Sequence, residues 1–243
     1  MTEQFVLPGD QIDVSTVVTG AAVTLGPNVA LSKSNLEQTA LSPTTAGLLN
    51  VKNAESRSPV YYVESNGRRY NPQVNDYVIG IIVGAFGEYY RVSLNSFSAP
   101  VLLNQFSFPN ASKKNRPRLQ TGDLIYARVE SVQRNMEAEL SCIDPTTGKD
   151  GGFGLLTGGF VFDVKLAFAR YLLFDADAKI LSELVKKCKF EIAIGVNGRI
   201  WIKTDDIKTT VACSNAIRNC QTWKKEELSA KVEDTFSVLE SHD

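Results

Sequence analysis

The stretch Gly195-Val196-Asn197-Gly198 has a spacing that supports two different roles. In one class of RNA-binding module, a Gly-x-x-Gly loop clamps nucleotides by their backbone. An Asn-Gly pair between alternating apolar runs is also a strong signal for a hairpin, because both residues tolerate positive φ. Here FEIAI precedes the loop and RIWIK follows it, and both runs alternate as strands do. These residues leave open a nucleotide clamp and a structural turn.

The densest cluster of cations lies in the run SKKNRPRL, which supplies Lys113, Lys114, Arg116 and Arg118. Pro117 and the polar neighbours predict a loop at this point. Nonspecific binding of single-stranded nucleic acid requires cations that follow the phosphates and flat side chains that stack on bases. The cluster therefore predicts either phosphate contacts or a solvated loop that keeps the protein soluble.

Aromatic side chains that could stack on bases surround a Gly-Glu turn. Phe86, Tyr89 and Tyr90 lie there, and core packing is the favoured role for each of them. Strand alternation sends Tyr89 and Tyr90 to opposite faces, so at most one of the two is a stacking platform. Arg91 shares a face with Tyr89 and is a candidate phosphate partner. Trp201 borders the hairpin and is expected to anchor a core or an interface.

The residue types argue against catalysis and against metal binding. The only histidine is His242, at the tail, so nucleophile systems that need a positioned imidazole are not expected. The four cysteines form no Cys-x-x-Cys pair, which makes a zinc site improbable and fits a reducing compartment. The acidic pairs Asp205-Asp206 and Glu226-Glu227 stand beside lysines and are expected to be solvated. We expect no catalytic residue, metal or cofactor.

The bulk composition is that of a globular protein. Of 243 residues, 43% are hydrophobic and 22% are charged, and the net charge of −1 excludes a whole-chain affinity for polyanions but not a local basic patch. The chain has no charged-then-apolar start and no run of about 18 apolar residues. We therefore expect neither a secretory signal nor a membrane partner.

The elements that must position these residues fall into three segments. Residues 1–65 alternate short apolar runs with turn residues, which predicts a small β domain. Residues 66–150 begin at the turn Asn66-Gly67 and contain five strand-like runs with one long connection, as in an OB-type barrel. Residues 151–243 change to helical periodicity. The predicted fold class is therefore multidomain, mainly β plus α+β.

The last segment decides between the two roles of Gly-Val-Asn-Gly. Its predicted order is a strand at about 154–163, two helices, a strand, the loop, a strand and a helix that Asp205 or Asp206 caps. This is the order of a KH-like domain, in which the RNA clamp joins the two adjacent helices. Here that junction, residues 174–178, has no glycine and carries two carboxylates that repel phosphate. We therefore favour a structural hairpin, with RNA contact by the loop as the alternative.

Several motifs together resemble the S1/KH-type cap subunits of the eukaryotic RNA exosome. They are LPGD at residues 7–10, DYVIGIIV at 76–83, GDLIYARV at 122–129, GFVFDVKLAFARYLL at 159–173 and IGVNGRIWIK at 194–203. The resemblance implies an N-terminal β domain, an S1-type barrel and a KH-like domain. It also implies that Gly195, Asn197 and Gly198, which match the family's Gly-x-Asn-Gly motif, pack between the barrel and the KH-like domain.

The resemblance further implies a role and partners. Cap subunits are not enzymes; they sit on a ring of RNase PH-like proteins and lead single-stranded RNA toward a 3′→5′ exonuclease held elsewhere in the complex. Ring subunits, other cap subunits, the exonuclease and RNA are the implied partners, and the nucleus, nucleolus and cytoplasm the implied locations. Candidate ring contacts are Leu7, Val29, Leu31, Leu48 and Leu49. A free-standing S1/KH RNA-binding module, such as a translation or ribosome-assembly factor, is the alternative.

Overall fold

A computed structural model describes residues 4–12, 24–33, 39–52, 59–65, 67, 69–96, 98–133, 135–175, 178–224 and 226–240. The predicted turn residue Asn66, the junction residue Asp177 and the tail histidine His242 lie outside this part of the chain. By its internal contacts the chain divides into two compact units, Met1–Gly67 and Arg68–Asp243. The predicted domain limits 1–65, 66–150 and 151–243 stay predictions.

The first unit consists of two small sheets. The four-stranded sheet has the order β1-β5-β6-β2 and the second sheet pairs β3 with β4. The strands are β1 (Gln4–Val6), β2 (Thr24–Leu25), β3 (Val29–Lys33), β4 (Thr39–Pro43), β5 (Gly47–Lys52) and β6 (Val60–Glu64). Alternation along β6 directs the side chains of Tyr61 and Val63 into a core that also contains Val6, Ile12 and Leu41.

The second unit begins with a closed barrel. Its strands are β7 (Tyr77–Phe86), β8 (Tyr89–Ser93), β9 (Val101–Asn104), β10 (Leu124–Ser131), β11 (Glu139–Ser141) and β12 (Gly154–Leu156). The sheet order is β11-β9-β8-β7-β10-β12, and an additional pairing of β11 with β10 closes a ring of five strands. Closure removes the unpaired edges of the five-stranded sheet, and β12 extends it beyond β10.

The helical part follows the barrel. Its elements are β13 (Phe160–Asp163), α1 (Leu166–Phe174), α2 (Lys179–Lys187), β14 (Glu191–Gly195), β15 (Arg199–Lys203), α3 (Ile207–Cys220) and α4 (Leu228–Glu240). The three strands form an antiparallel sheet with the order β13-β15-β14. Asp206 caps α3, because its carboxylate accepts a hydrogen bond from the backbone N–H of Thr209 at 3.0 Å. Among the described residues, no helix is long and apolar enough to cross a membrane.

Two details of the helical part differ from the sequence prediction. The single strand expected at about 154–163 is two strands, and β12 belongs to the barrel whereas β13 belongs to the KH-like sheet. The cause is the Gly158-Gly159 turn, since both glycines have a φ of +71° and end the extended backbone. The helical spacing of Ile180, Leu181, Leu184, Val185 and Cys188 also predicts an apolar face on α2, and the observed face is narrower. Ile180 and Leu184 are buried, but Val185 is 67% exposed.

The two faces of the KH-like sheet have different partners. Ile200 and Ile202 of β15 point toward the helices and pack with Leu172, Leu184 and Ile217. The intervening Trp201 points the other way, where it packs with Ala193 and with Ile79 of the barrel. The sheet is therefore buried on both faces, against its own helices and against the barrel.

Candidate nucleic-acid interface

The Gly-Val-Asn-Gly stretch forms the turn between β14 and β15. The backbone N–H of Gly198 donates to the carbonyl of Gly195 at 3.0 Å, and Gly198 has a φ of +82°. A Cβ atom on Gly198 would lie 2.8 Å from the carbonyl oxygen of Val164, and one on Gly195 would lie 2.8 Å from the backbone nitrogen of Ile79. Both glycines are therefore required by close approach of neighbouring backbone.

Asn197 points into the junction between the hairpin and the barrel and is only 4% exposed. Its Oδ1 accepts a hydrogen bond from the N–H of Ile79 at 3.1 Å. Its Nδ2 donates to the carbonyls of Ile79 at 2.8 Å and Leu94 at 2.7 Å. The N–H of Val196 adds a bond to the carbonyl of Tyr77 at 2.8 Å. The polar groups at the tip of the turn are thus hydrogen-bonded to the barrel backbone. The side-chain amide of Asn197 therefore has no donor left for RNA.

Arg199 and Trp201 extend the same junction along β15. The Nη1 of Arg199 donates to the carbonyl of Ser93 at 2.7 Å, and burial lowers the pKa of its guanidinium although Asp163 opposes that effect. The Nε1 of Trp201 donates to the carbonyl of Gly158 at 2.8 Å, and the indole is buried. Both residues therefore serve the packing of the barrel against the KH-like sheet.

The predicted cation cluster lies on the long connection between β9 and β10. Lys113, Lys114, Arg116 and Arg118 are all exposed. The connection is anchored below them by Tyr90, which is buried. The hydroxyl of Tyr90 donates to the carbonyl of Pro117 at 2.6 Å and accepts from the N–H of Leu119 at 3.3 Å. The cations are therefore carried on a loop whose base is fixed to the barrel.

Arg116 is held in a defined position on this loop. Its Nη1 donates to Oε1 of Gln105 at 3.2 Å, and its guanidinium carbon lies 5.0 Å from the centre of the Phe106 ring. Gln105 in turn contacts the tip of the β7–β8 hairpin, because its backbone N–H donates to the carbonyl of Glu88 at 2.9 Å and its Nε2 to that of Gly87 at 3.3 Å. One surface therefore combines the loop cations with the hairpin tip.

Tyr89 and Arg91 differ in their relation to this surface. Tyr89 lies at the hairpin tip, opposite Phe86, and is half-buried. Arg91 is exposed and its Nη2 lies 4.0 Å from Oε1 of Glu137, also an exposed side chain, so this ion pair contributes little. The structure thus brings Tyr89 and Arg116 to one surface and gives Arg91 a carboxylate neighbour, Glu137.

Sequence reasoning missed two aromatic residues at this surface. Core packing was favoured for Phe86, which is wrong, since its side chain is 79% exposed. The register of β7 against β8 shifts between Ile82 and Gly84, and such an irregularity changes which side chains face the core. The second residue is Phe106, whose ring lies against the guanidinium of Arg116. Gly87, with a φ of +60°, places Phe86 beside the hairpin turn, but no local pattern in the sequence shows the change of register that exposes its side chain.

The close approach at Gly198 leads to a first prediction. Gly198→Val should lower the free energy of unfolding by about 1–3 kcal/mol through backbone strain alone, and by more through the contact with Val164. Gly122→Val is the matched control, because Gly122 has a φ of +99° but no atom within 4 Å of a Cβ. Thermal unfolding of both variants measures the difference. Equal losses of stability would contradict the close packing of the hairpin.

Three family models match successive parts of the chain. The model described as "Exosome complex exonuclease Rrp40 N-terminal domain" matches residues 23–69. The model described as "Exosome complex component RRP40, S1 domain" matches residues 70–154, and a KH-domain model matches residues 159–208. These matches confirm the predicted fold class, with an N-terminal domain, an S1 barrel and a KH-like domain.

Two relatives are similar over most of their length. The exosome complex component RRP40 of Saccharomyces cerevisiae is 45% identical over 218 residues, which are 89% of this chain and 88% of the relative. The exosome complex component rrp40 of Schizosaccharomyces pombe is 36% identical over 236 residues, which are 97% of this chain and 95% of the relative.

A solved structure also resembles the chain. It is a crystal structure described as an exosome complex RNA-binding protein, with a TM-score of 0.54 and 22% identity. The match covers 70% of this chain and 98% of the other. At this identity the likeness concerns the fold alone.

Proposed function

Since the chain belongs to the exosome complex component RRP40 family, we propose that it is a non-catalytic, RNA-binding cap subunit of the exosome. In this role it stabilises a ring of RNase PH-like subunits and guides single-stranded RNA into the central channel for 3′→5′ processing and degradation. The observation that supports guidance of RNA is a difference in exposure between two regions of the second unit. The hairpin is buried against the barrel, whereas the barrel loop carries exposed cations.

The barrel loop has the two features that single-stranded RNA requires. Lys113 and Lys114 are exposed, and within the described residues neither has an ion-pair partner, so both are free to neutralise phosphates. Arg116, Phe106 and Phe86 supply flat surfaces next to them on which bases can stack. The barrel segment has only a small excess of basic residues and the last segment is neutral. We therefore expect weak RNA binding by the isolated chain and stronger binding in the complex.

Several features support a role without catalysis. In the part of the chain that the structure describes, no group of three or more His, Cys, Asp or Glu side chains is arranged to hold a metal ion. The exposed cations of the loop and the exposed Phe86 of the β7–β8 hairpin can bind RNA but offer no general base. Incubation of the pure chain with end-labelled RNA tests this role. Cleavage that is lost when an acidic residue is replaced would contradict it.

The first unit offers a surface for the ring subunits. Of the candidate ring contacts, Leu7, Leu31 and Leu48 are exposed, whereas Val29 is buried in the core and Leu49 packs against it. Phe5 lies opposite Leu48 in the pairing of β1 with β5, and its side chain is 65% exposed. We assign this apolar pair to the contact with ring subunits, because neighbouring exposed apolar residues are typical of binding sites.

A native-tag purification, followed by size separation and mass spectrometry, tests the function. We expect recovery in a large complex with RNase PH-like subunits and other cap subunits in equal amounts, and loss of these partners with Phe5→Asp. Recovery as a monomer near 26.7 kDa, or with ribosomes, would favour the free-standing RNA-binding module. Imaging of the tagged chain tests the proposed nuclear, nucleolar and cytoplasmic locations, and exclusion from the nucleus would contradict them.

The exposed Phe86 leads to a second prediction. Phe86→Ala should weaken RNA binding by the assembled complex by roughly 5- to 150-fold, which corresponds to the loss of one stacked base at about 1–3 kcal/mol. Fluorescence anisotropy with a labelled single strand measures the change. Phe174→Ala is the matched control, because Phe174 is 72% exposed but ends helix α1 of the KH-like domain. Equal effects of the two variants would remove Phe86 from the RNA surface.

A further inference from the structure

Two cysteines that are distant in the sequence meet in the helical layer. The sulfur atoms of Cys188 and Cys213 lie 3.4 Å apart, although 25 positions separate them in the chain. All four cysteines are free thiols, and the other two, Cys142 and Cys220, make no thiol–thiol contact among the described residues. The sequence showed scattered, unpaired cysteines, whereas the fold creates one close pair.

The two thiols of this pair have different surroundings. Cys188 follows the last residue of α2, has an extended backbone and is partly exposed, between the exposed Lys187 and Lys189. Cys213 lies in the middle of α3 and is fully buried among apolar side chains. Burial and the neighbouring Cys188 raise the pKa of the Cys213 thiol, which therefore stays protonated in the reduced protein. An oxidant in solution reaches Cys188 first.

We propose that Cys188 and Cys213 form a dithiol site that hydrogen peroxide oxidises to a disulfide. Peroxide first transfers an oxygen atom to the Cys188 sulfur, which gives a sulfenic acid and one water molecule. The Cys213 sulfur then attacks the Cys188 sulfur, the S–O bond breaks, and the hydroxyl leaves with the Cys213 proton as a second water. Two thiols are oxidised and one peroxide is reduced, so atoms and electrons balance.

The geometry requires only a small movement. A disulfide has an S–S length of about 2.05 Å, so the sulfur atoms must approach each other by roughly 1.4 Å. Cys188 can supply this movement because it stands just after the end of α2, where its N–H donates to the carbonyl of Leu184 at 3.1 Å. Cys213, inside α3, can remain in place.

The cross-link would act within the helical layer of the KH-like domain. It would join the end of α2 to the middle of α3, whereas Arg199 and Trp201 contact the barrel from the opposite face of the sheet. We expect oxidation to stabilise the helices and to leave the barrel loop unchanged. In a reducing compartment such a bond is transient, as expected of a redox-responsive site.

The test is disulfide mapping of the purified full chain. The reduced protein is treated with increasing hydrogen peroxide, free thiols are alkylated, and the digest is analysed by mass spectrometry without reduction. We expect a Cys188–Cys213 linked peptide as the main oxidised product, lost on treatment with dithiothreitol, together with a higher thermal midpoint of the oxidised chain. Cys188→Ser should abolish the product. Cys220→Ser, also at a partly exposed position and in the same helix α3, should not.

Three outcomes would overturn the proposal. In the first, all of Cys213 still reacts with the alkylating reagent after denaturation, while Cys188 is oxidised to sulfinic acid. The second is a main product that links Cys188 to Cys220 or to a second chain. The third is formation of the Cys188–Cys213 bond only after the protein has been unfolded, which would show that the folded dithiol does not react.

Discussion

Reversing the charges of Lys113, Lys114 and Arg116 to glutamate is expected to weaken RNA binding by the assembled complex by about tenfold or more at 0.1 M salt. Each of these exposed cations can neutralise a phosphate and release counterions, and glutamate repels the same phosphate. The logarithm of affinity against the logarithm of salt concentration should also become less steep. Anisotropy titrations over a salt series measure both effects, and assembly with the ring should remain intact.

The control variant carries the same change of charge elsewhere. Lys186, Lys187 and Lys189 are exposed residues at and just after the end of α2, in the KH-like domain, and their reversal should leave RNA binding close to that of the unaltered complex. If the complex with the loop variant binds RNA as tightly as the unaltered complex does, the barrel loop is not the RNA surface. If both variants weaken binding equally, the effect is one of overall charge.

Asn197→Ala is expected to destabilise the second unit by about 2–5 kcal/mol. The substitution removes three hydrogen bonds and leaves the N–H of Ile79 and the carbonyl of Leu94 without the amide that they contact. Unsatisfied buried groups of this kind cost about 1–3 kcal/mol each. For a unit of this size, the thermal midpoint should fall by roughly 5–15 °C.

Asn215→Ala controls for the loss of an amide, because Asn215 is exposed on helix α3. It should leave the thermal midpoint almost unchanged. RNA binding separates the two possible roles of the hairpin. An Asn197→Ala protein with an unchanged midpoint and lost RNA binding would show that the loop is a nucleotide clamp.

The position of the hairpin was predictable because its signals are local. Alternation on both sides of Gly195–Gly198, the Asn-Gly pair and the positive φ that Gly198 needs all depend on neighbouring residues. The cap of α3 was predictable for the same reason, since Asp206 contacts a residue three positions later. The residues that the tip of the turn contacts were not predictable, because Ile79 is 118 positions away from Asn197 in the sequence.

The features that sequence reasoning missed depend on tertiary contacts. Phe86 is exposed because β7 changes register, which no local pattern shows. Arg116 is positioned by Gln105 and Phe106, residues of the preceding strand end rather than of its own run. Cys188 and Cys213 meet only because α2 packs on α3. The composition of the sequence predicts a loop that is rich in cations, whereas the positions of its side chains depend on contacts that only the folded structure shows.

Photocrosslinking of single-stranded RNA to the assembled complex, with crosslinked residues located by mass spectrometry, tests most directly which part of the chain faces RNA. We predict crosslinks in the loop that carries Lys113 and Lys114 and at the hairpin tip around Phe86. We predict none at Val196 or Asn197, whose polar groups are bound to the barrel. Crosslinks that map to Gly195–Gly198 and spare the barrel loop would contradict the structural role of the hairpin.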